Sequence, residues 1–377
     1  MVSPFYETHG GGLERVAGHL CRELMLQGEK LLWAASSDDA LLNNDIEMLP
    51  LRCINPLERF TGLPTPLPGL RAIPQLIRAI RRSDAVIIHD ALYAISILAM
   101  VIARMLGKRT VLIQHIAAIP FSSRLLRHLM ALANRLVTRP MLRAANARVF
   151  ISDTVRHDLL GTPARYPYQL IFNGVDRTTF FFRGTAVKKT ILPADIAVPT
   201  GMRPVLFVGR YVEKKGLAIL RTLAETRPDL FFLLAGQGPL SPDDWGLSNV
   251  YDLGIQSPAA LADLYHQVDL LLLPSVGEGY PLVIQEAMAC GLPVICGIPT
   301  HRADPQAARW LCGVDIDLAN PQASAHLCAN AIDSMALSES ERTEMAHYAT
   351  THYCWQIMAS KVLALGMPPD AIISSNA

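Results

Sequence analysis

Apolar residues in this chain follow two rhythms. Short runs rich in β-branched and large aliphatic side chains recur at 84–90 (DAVIIHD), 110–115 (TVLIQH), 147–152 (ARVFIS), 204–209 (PVLFVG), 230–236 (LFFLLAG), 268–275 (VDLLLLPS) and 293–297 (PVICG). Runs of this length without strict alternation predict strands buried on both faces, the condition of strands in a parallel sheet. Between them lie stretches with apolar positions at helical spacing, among them 13–27, 217–226 and 259–267. This alternation predicts βαβ units and two parallel sheets, an α/β fold with one sheet in each half. No repeat of 20 to 50 residues is present. The segment 180–203, with Gly184, Pro193, Pro199 and Gly201, loses periodicity and predicts the connection between domains. The expected division is a first domain over 1–182, a second over 183–350 and a terminal segment over 351–377. A doubly wound domain ordinarily opens with a strand before its first glycine loop. Here only MVSPFYETH precedes Gly10, so the first strand is expected to be very short or missing.

Size and composition agree with that division. At 377 residues the chain is too long for one ordinary core and suits two domains, and 51% apolar against 18% charged residues excludes a disordered chain. The seven cysteines are odd in number, scattered and without CxxC spacing, a pattern of free thiols in a reducing compartment. The longest apolar candidate for a membrane span, 91–103, ends at Arg104, short of the roughly 18 residues a spanning helix needs. The opening MVSPFYETHGGG lacks the basic start and apolar centre of a secretion signal, so a cytoplasmic location is expected.

Charge changes the picture more. The net charge of +1 conceals 22 Lys and Arg against 14 Asp and Glu in residues 1–183, and 12 against 19 in the remainder. From 91 to 152 there is no acidic residue at all, while Arg104, Lys108, Arg109, Arg124, Arg127, Arg135, Arg139, Arg143 and Arg148 all fall there. An anionic partner is the natural complement of such a face. Within it, 124–143 (RLLRHLMALANRLVTRPMLR) mixes arginines with Leu, Met and Val, as an interfacial helix on an anionic membrane surface does, or as a helix with solvated arginines does. No nucleic-acid partner is expected.

Two segments carry candidate chemistry. In 275–294 (SVGEGYPLVIQEAMACGLPV) a buried strand passes through a glycine-flanked turn into a helix, a geometry that aims main-chain N–H groups and the helix dipole at an oxygen-rich or phosphate ligand. Glu278 and Glu286 lie eight residues apart in this segment, and carboxylates of this kind accept hydrogen bonds from paired hydroxyls of a sugar or ribose. In 207–217 (FVGRYVEKKGL) another strand leaves through a loop, placing Arg210 and Lys215 where both could reach one pyrophosphate, the first as a planar fork and the second as a point charge. The DID at 315–317 has metal-motif spacing but sits late in the chain, the histidines and cysteines show no zinc spacing, and no GxGxxG opens a strand–helix unit. Neither a metal nor a bound cofactor is expected.

The spacing E-x7-E within GEGYPLVIQEAMACGLPV resembles the signature of retaining glycosyltransferases of family four, which have the GT-B fold, two Rossmann-like domains whose parallel sheets face each other across a cleft. The resemblance extends through GRYVEKKG, LLAGQGPL (233–240), DLGIQSPAALADLYHQVD (252–269), HGGGLERVAGHLCREL near the start and LIFNGVDRTTF (170–180), and covers roughly residues 2–366. It implies that Arg210 and Lys215 bind the donor phosphates and stabilise the departing diphosphate, that Glu278 faces the donor sugar, and that Glu286 holds the ribose. It implies further donor contacts at Gly209, Gly279, Tyr280, Leu282 and Gln256, the last beside the base. Gly10, Gly11 and Gly12 would admit the donor phosphate closely, His115 would stand near the transferred sugar, and 352–366 would return as a helix to the first domain. The implied reaction moves a sugar from a nucleotide diphosphate sugar to a hydroxyl of a glycan or lipid-linked acceptor with retention and without a metal, in cell-surface polysaccharide, lipopolysaccharide or glycolipid synthesis. A sugar-nucleotide epimerase and a catalytically silent GT-B subunit of a glycosyltransferase complex are the rival readings. One departure is Pro281, where many relatives carry glycine; proline offers no N–H to a ligand.

Overall fold

The computed structural model describes residues 1–37, 46–55, 66–117, 124–184, 191–192 and 196–367. Part of the expected connection (185–190 and 193–195) and the tail 368–377 lie outside the described residues. The chain divides into two compact units, one of residues 1–118, 123–173 and 355–377, the other of 119–122 and 174–354. Residues 174–183 go with the second unit because their side chains pack there. The Phe180 ring lies 6.0 Å from that of Tyr265, and Arg183 pairs with Asp263 at 2.8 Å.

In the first unit β1 (Leu32–Ser36) runs parallel to β2 (Glu47–Leu51), while β3 (Ala85–His89), β4 (Arg109–Gln114), β5 (Ala147–Phe150) and β6 (Gln169–Leu170) form a parallel row in that order. Val2 joins the two groups by bridging Ala34 on one side and Ile88 on the other. Its N–H donates to Ile87 at 2.8 Å, and its carbonyl accepts from the His89 N–H at 3.0 Å. The strand expected before the first glycine loop is thus reduced to the few residues around Val2.

Helix α1 (Gly12–Leu26) follows that loop and buries Val16, Leu20 and Leu24 with Ala17 and Cys21, the i, i+4 stripe its sequence predicts. Against α1 lies α12 (Trp355–Gly366), which belongs to this unit and stacks Trp355 on His19 with ring centroids 4.7 Å apart. The remaining helices of the unit are α2 (Ala72–Arg81), α3 (Ala94–Met105), α4 (Arg124–Ala133), α5 (Arg139–Ala144) and α6 (Asp153–Leu160). Ser152 caps α6 by accepting the Val155 N–H, so a polar residue at the end of β5 starts the next helix.

The second unit holds a six-stranded parallel sheet of β7 (Arg203–Val208), β8 (Leu230–Ala235), β9 (Val250–Gly254), β10 (Leu270–Leu273), β11 (Val294–Gly297) and β12 (Leu311–Val314). Their order is β9-β8-β7-β10-β11-β12. All six residues of β8 and all four of β10 are buried, which explains why these segments read as unbroken apolar runs. Full burial of each such Leu or Phe side chain stabilises the fold by about 1.5–3 kcal/mol. The longer helices of the unit are α7 (Leu217–Thr226), α8 (Pro258–Gln267), α9 (Leu282–Ala289), α10 (Pro321–Ser334) and α11 (Glu339–His352). Pro258 at the first turn and Ser257, which accepts the Ala260 N–H, start α8; Ser338 and Glu341 close a reciprocal capping box on α11. None of the seven cysteines forms a disulfide among the described residues, and five of them are buried.

Candidate functional site

The strand order of the second unit determines where a site can form. The chain winds outward from β7 through β8 to β9, then returns to the other side of β7 to start β10. Loops leaving the carboxyl ends of β7 and β10 therefore part to opposite sides and leave a crevice between them, the usual place for a ligand in an open α/β sheet. These two loops carry the cations and the first glutamate. The Val276 N–H donates to the Lys214 carbonyl at 2.9 Å, tying one loop to the other. Gly216 makes the approach feasible: its φ is +78°, and a Cβ there would stand 2.2 Å from the Pro274 carbonyl oxygen. The glycine of the KKG element is thus required by the contact between the loops.

That contact places Lys215 Nζ 3.2 Å and Lys214 Nζ 3.4 Å from Oε1 of Glu278. Glu278 and Lys215 are both mostly buried, with side chains 15% and 14% exposed, whereas Lys214 is 34% exposed. Burial works to raise the Glu278 pKa, but the neighbouring ammonium groups, Lys215 foremost, outweigh it and hold the carboxyl below its ordinary range. Glu278 is therefore ionised at neutral pH, and the cluster of one carboxylate and two ammonium groups keeps one unit of positive charge. Arg210 projects from the same loop, exposed, and its side chain makes no ion pair or hydrogen bond among the described residues. Its guanidinium is open to an anionic ligand.

Gly209, between β7 and Arg210, is held by its N–H to the Ala235 carbonyl at 3.0 Å, and the carbon stem of Lys215 passes close beside it. Gly279 is buried in the turn and Leu282, half-exposed, begins α9. Pro281 caps that helix at φ −60°, so the N–H groups of the first turn begin only after it. Glu286, one turn into α9, accepts a hydrogen bond from the Tyr265 hydroxyl at 3.3 Å. Burial keeps that phenol pKa well above its usual value, so Tyr265 remains a donor that orients the carboxylate. Gln256 is half-buried and its amide donates to the Leu253 carbonyl, bracing the loop after β9.

The Tyr280 side chain faces the interior. It is 2% exposed, with its hydroxyl 2.9 Å from that of Tyr353. Tyr353 and Tyr348 in turn donate to Oδ2 of buried Asp304 at 2.8 and 2.7 Å. The ring and hydroxyl of Tyr280 are thus committed to the interior and support the turn; they are not presented to a ligand.

In the first unit the carboxyl ends of β3 and β4 gather a second polar group. His115 is 5% exposed, and its Nε2 lies 3.0 Å from Nδ1 of fully buried His89. The His115 N–H donates to Oδ1 of Asp90 at 2.8 Å. Asp90 has φ 54°, rare outside glycine, is 2% exposed, and leaves Oδ2 buried without a hydrogen-bond partner among the described residues. Burial, partly offset by main-chain donors at His115 and Ile116, lifts its carboxyl to about 7, while burial pushes the His115 imidazole down to about 3. Gly11 caps α1, and a Cβ there would stand 2.1 Å from Oε2 of Glu14, which is itself buried. The lack of a side chain at Gly11 is therefore used by Glu14, whereas Gly12 has open space around it.

Asp90, His89, Glu14 and Tyr265 were not singled out from sequence, and Lys214 was ranked behind Lys215, which immediately precedes the glycine. The pair His89–Asp90 closes the apolar run AVIIHD, and two polar residues ending a buried strand were the available signal.

Comparisons with known proteins follow the same division. A family model described as Glycosyltransferase Family 4 matches residues 10–179, and one described as Glycosyl transferases group 1 matches residues 203–325. Together they span most of the chain, which belongs to this family of glycosyltransferases. A D-inositol 3-phosphate glycosyltransferase of Mycolicibacterium smegmatis is 33% identical over 151 residues, 36% of this chain and 34% of that protein. A sulfoquinovosyl transferase of Arabidopsis thaliana is 28% identical over 244 residues, 61% of this chain and 47% of that one. The matched segments thus span between a third and a half of these curated relatives. The crystal structure of Anabaena HepE in complex with UDP and glucose superposes with a TM-score of 0.68 at 15% identity, covering 96% of this chain and 98% of that one. The fold is that of the GT-B glycosyltransferases, with two Rossmann-like domains.

Proposed function

We propose that this protein transfers a sugar from a nucleotide diphosphate sugar to a hydroxyl acceptor, with retention of anomeric configuration and without a metal ion. The observation that carries the reading is the buried Glu278 carboxylate held by Lys215 and Lys214, with the exposed Arg210 on the same loop as the lysines, at the switch point of a parallel sheet. A diphosphate leaving group gains negative charge as the glycosidic bond breaks, and preorganised cations lower the barrier to that step. In this reading Arg210 and Lys215 do this, Glu286 accepts from the ribose hydroxyls, and the ionised Glu278 orients the sugar. The donor phosphate then receives the acceptor's proton on the face from which it departs, so no side-chain base is needed. UDP in the HepE complex makes a uridine diphosphate sugar the first donor to try.

For the acceptor, the acid-free stretch 91–152 and its arginines favour a glycan or lipid-linked substrate held at an anionic membrane surface, as in cell-surface polysaccharide, lipopolysaccharide or glycolipid synthesis. No helix among the described residues is long and apolar enough to cross a membrane, and a peripheral location on the cytoplasmic face fits this reading.

The test is a thermal-shift screen across nucleotide sugars, followed by product analysis with the donor that raises the melting temperature most. Acceptor-dependent release of nucleoside diphosphate, abolished in Glu286→Ala, is the expected outcome. A changed sugar nucleotide formed without acceptor would identify an epimerase, and stable donor binding with no turnover would identify a silent subunit. Near-normal transfer by Glu286→Ala would overturn the donor site.

A further inference from the structure

The helical stretch after His115 presents its apolar residues on the wrong side for a core. Helix α4, a π-helical turn over Asn134–Thr138 and α5 form one continuous rod, since Ala133, Thr138 and Arg139 at the junctions all keep right-handed helical backbone angles. Thr138, Met141 and Leu142 face the interior and are buried, with Val137 packed beside the core. Leu125, Leu129, Leu132 and Leu136 fall at spacings of four, three and four, which puts them on one side of the rod. They are 68%, 51%, 50% and 62% exposed. Single exposed leucines need no account, but four in a row form a contiguous apolar strip that marks an interaction surface.

Cations flank the strip. Arg135, Arg139 and Arg143 are all exposed on the same rod, the last two a seven-residue step beyond Leu132 and Leu136. None of the three has an ion pair or hydrogen bond from the side chain among the described residues. The Asn134 side chain donates to the Ala117 carbonyl, which ties the rod to the loop that leaves His115. A contact made through the strip is thereby made next to the polar group at the carboxyl ends of β3 and β4.

We propose that this rod lies in the surface of an anionic bilayer, with the four leucines in the acyl boundary and the arginines extended to the lipid phosphates. Arginine suits that geometry because its stem can lie along apolar surface while its head remains in the polar layer. Charge decides the occupant. A second copy of this chain meeting the strip across a twofold axis would bring the same uncompensated arginines against each other, whereas acidic lipids neutralise them. The proposal deepens the membrane-surface part of the function proposed above, which rested on charge alone, by adding apolar insertion through named residues.

The experiment is flotation of the full chain with vesicles of neutral lipid alone and with an anionic lipid added, at low and physiological salt. It compares the unchanged protein with a variant carrying Leu→Gln at 125, 129, 132 and 136, and with one carrying Arg→Gln at 135, 139 and 143. Each variant is checked for an unchanged melting temperature and for donor-dependent stability. The unchanged protein is expected on anionic vesicles at both salt concentrations. The leucine variant, which keeps every charge, should partition about 100-fold more weakly at physiological salt while retaining recruitment at low salt. The arginine variant should lose preference for anionic over neutral vesicles. Equal binding by the leucine variant would overturn insertion while leaving electrostatic recruitment in place. No vesicle binding by the unchanged protein would overturn both membrane claims, yet donor binding and transfer, measured separately, would still stand. A mass by light scattering that halves in the leucine variant would assign the strip to a protein interface instead.

Discussion

Each unit buries a carboxylate at the carboxyl edge of its sheet, and the two are treated in opposite ways. Glu278 has two ammonium groups within 3.4 Å and is held ionised below its ordinary range. Asp90 has main-chain donors on one oxygen, no hydrogen-bond partner on the other among the described residues, and a carboxyl lifted to about 7. Gross charge would have suggested the reverse, since residues 1–183 are net basic and the remainder net acidic. A buried pKa is set by groups within a few ångströms and by lost hydration, and the distant surface arginines of the first unit are screened by solvent. The difference separates roles. The second unit offers fixed charge to an anion, while the first keeps two neutral imidazoles, His89 and His115, beside an Asp90 carboxyl that exchanges its proton near neutrality.

The sharpest way to break this contrast is to remove its cation. Lys215→Ala leaves Glu278 with only the more exposed Lys214 and takes one preorganised charge from the phosphate site. Turnover is expected to fall by about 10²–10³-fold in a protein that still folds, measured as nucleoside diphosphate release. A loss smaller than tenfold would mean that Lys214 carries the role.

The loop contact that creates the cluster can be tested next. Gly216→Ala demands a left-handed alanine and a Cβ 2.2 Å from the Pro274 oxygen, so unfolding stability should drop by at least about 2 kcal/mol in denaturant titration. An unchanged midpoint would show that the two loops are not locked as described.

The smallest effects lie in pH dependence, where the two acids should act with opposite sign. Glu278 has a depressed pKa, so its contribution to stability is present above the unfolded value of 4.5 and is lost as pH falls through the lower folded value. Asp90 has a raised pKa, so its ionisation weakens the fold progressively from 3.8 to about 7. Relative to the unchanged protein, Glu278→Gln should therefore lose stability above pH 4.5. Asp90→Asn should gain relative stability as pH rises across that second window. His115, pushed down to about 3, adds a third signature: stability should fall on acidification from 6.5 towards 3, and His115→Asn should flatten that limb. Melting temperatures of the three variants from pH 3 to 8 would check these signs; parallel curves for Glu278→Gln and Asp90→Asn would abolish the contrast.

Much of the architecture was legible because it depends on local pattern. Unbroken apolar runs such as LFFLLA and LLLL can be satisfied only by burial on both faces, and each became a strand of a covered parallel sheet. The helix from Gly12 to Leu26 followed from its i, i+4 stripe. Motif order likewise identified the family, and the strand–loop–helix context of Glu278 and Glu286 is written in the same residues. The leucines at 125, 129, 132 and 136 show where such patterns stop being decisive. Their spacing is that of a core-facing stripe, yet the rod buries its other side, because periodicity reports that a face is apolar and not what covers it.

By itself, then, the sequence determined the element types, the two-sheet plan and the presence of cations and carboxylates in nucleotide-sugar motifs. All of these are properties of neighbouring residues along the chain. Only the tertiary structure decided that Lys214 and Lys215 meet Glu278 and that Tyr280 turns inward to Tyr353. It likewise left Oδ2 of Asp90 buried without a hydrogen-bond partner among the described residues. Those outcomes depend on which strands become neighbours and on how much water remains at each carboxylate, quantities that exist only once the sheet has closed around them.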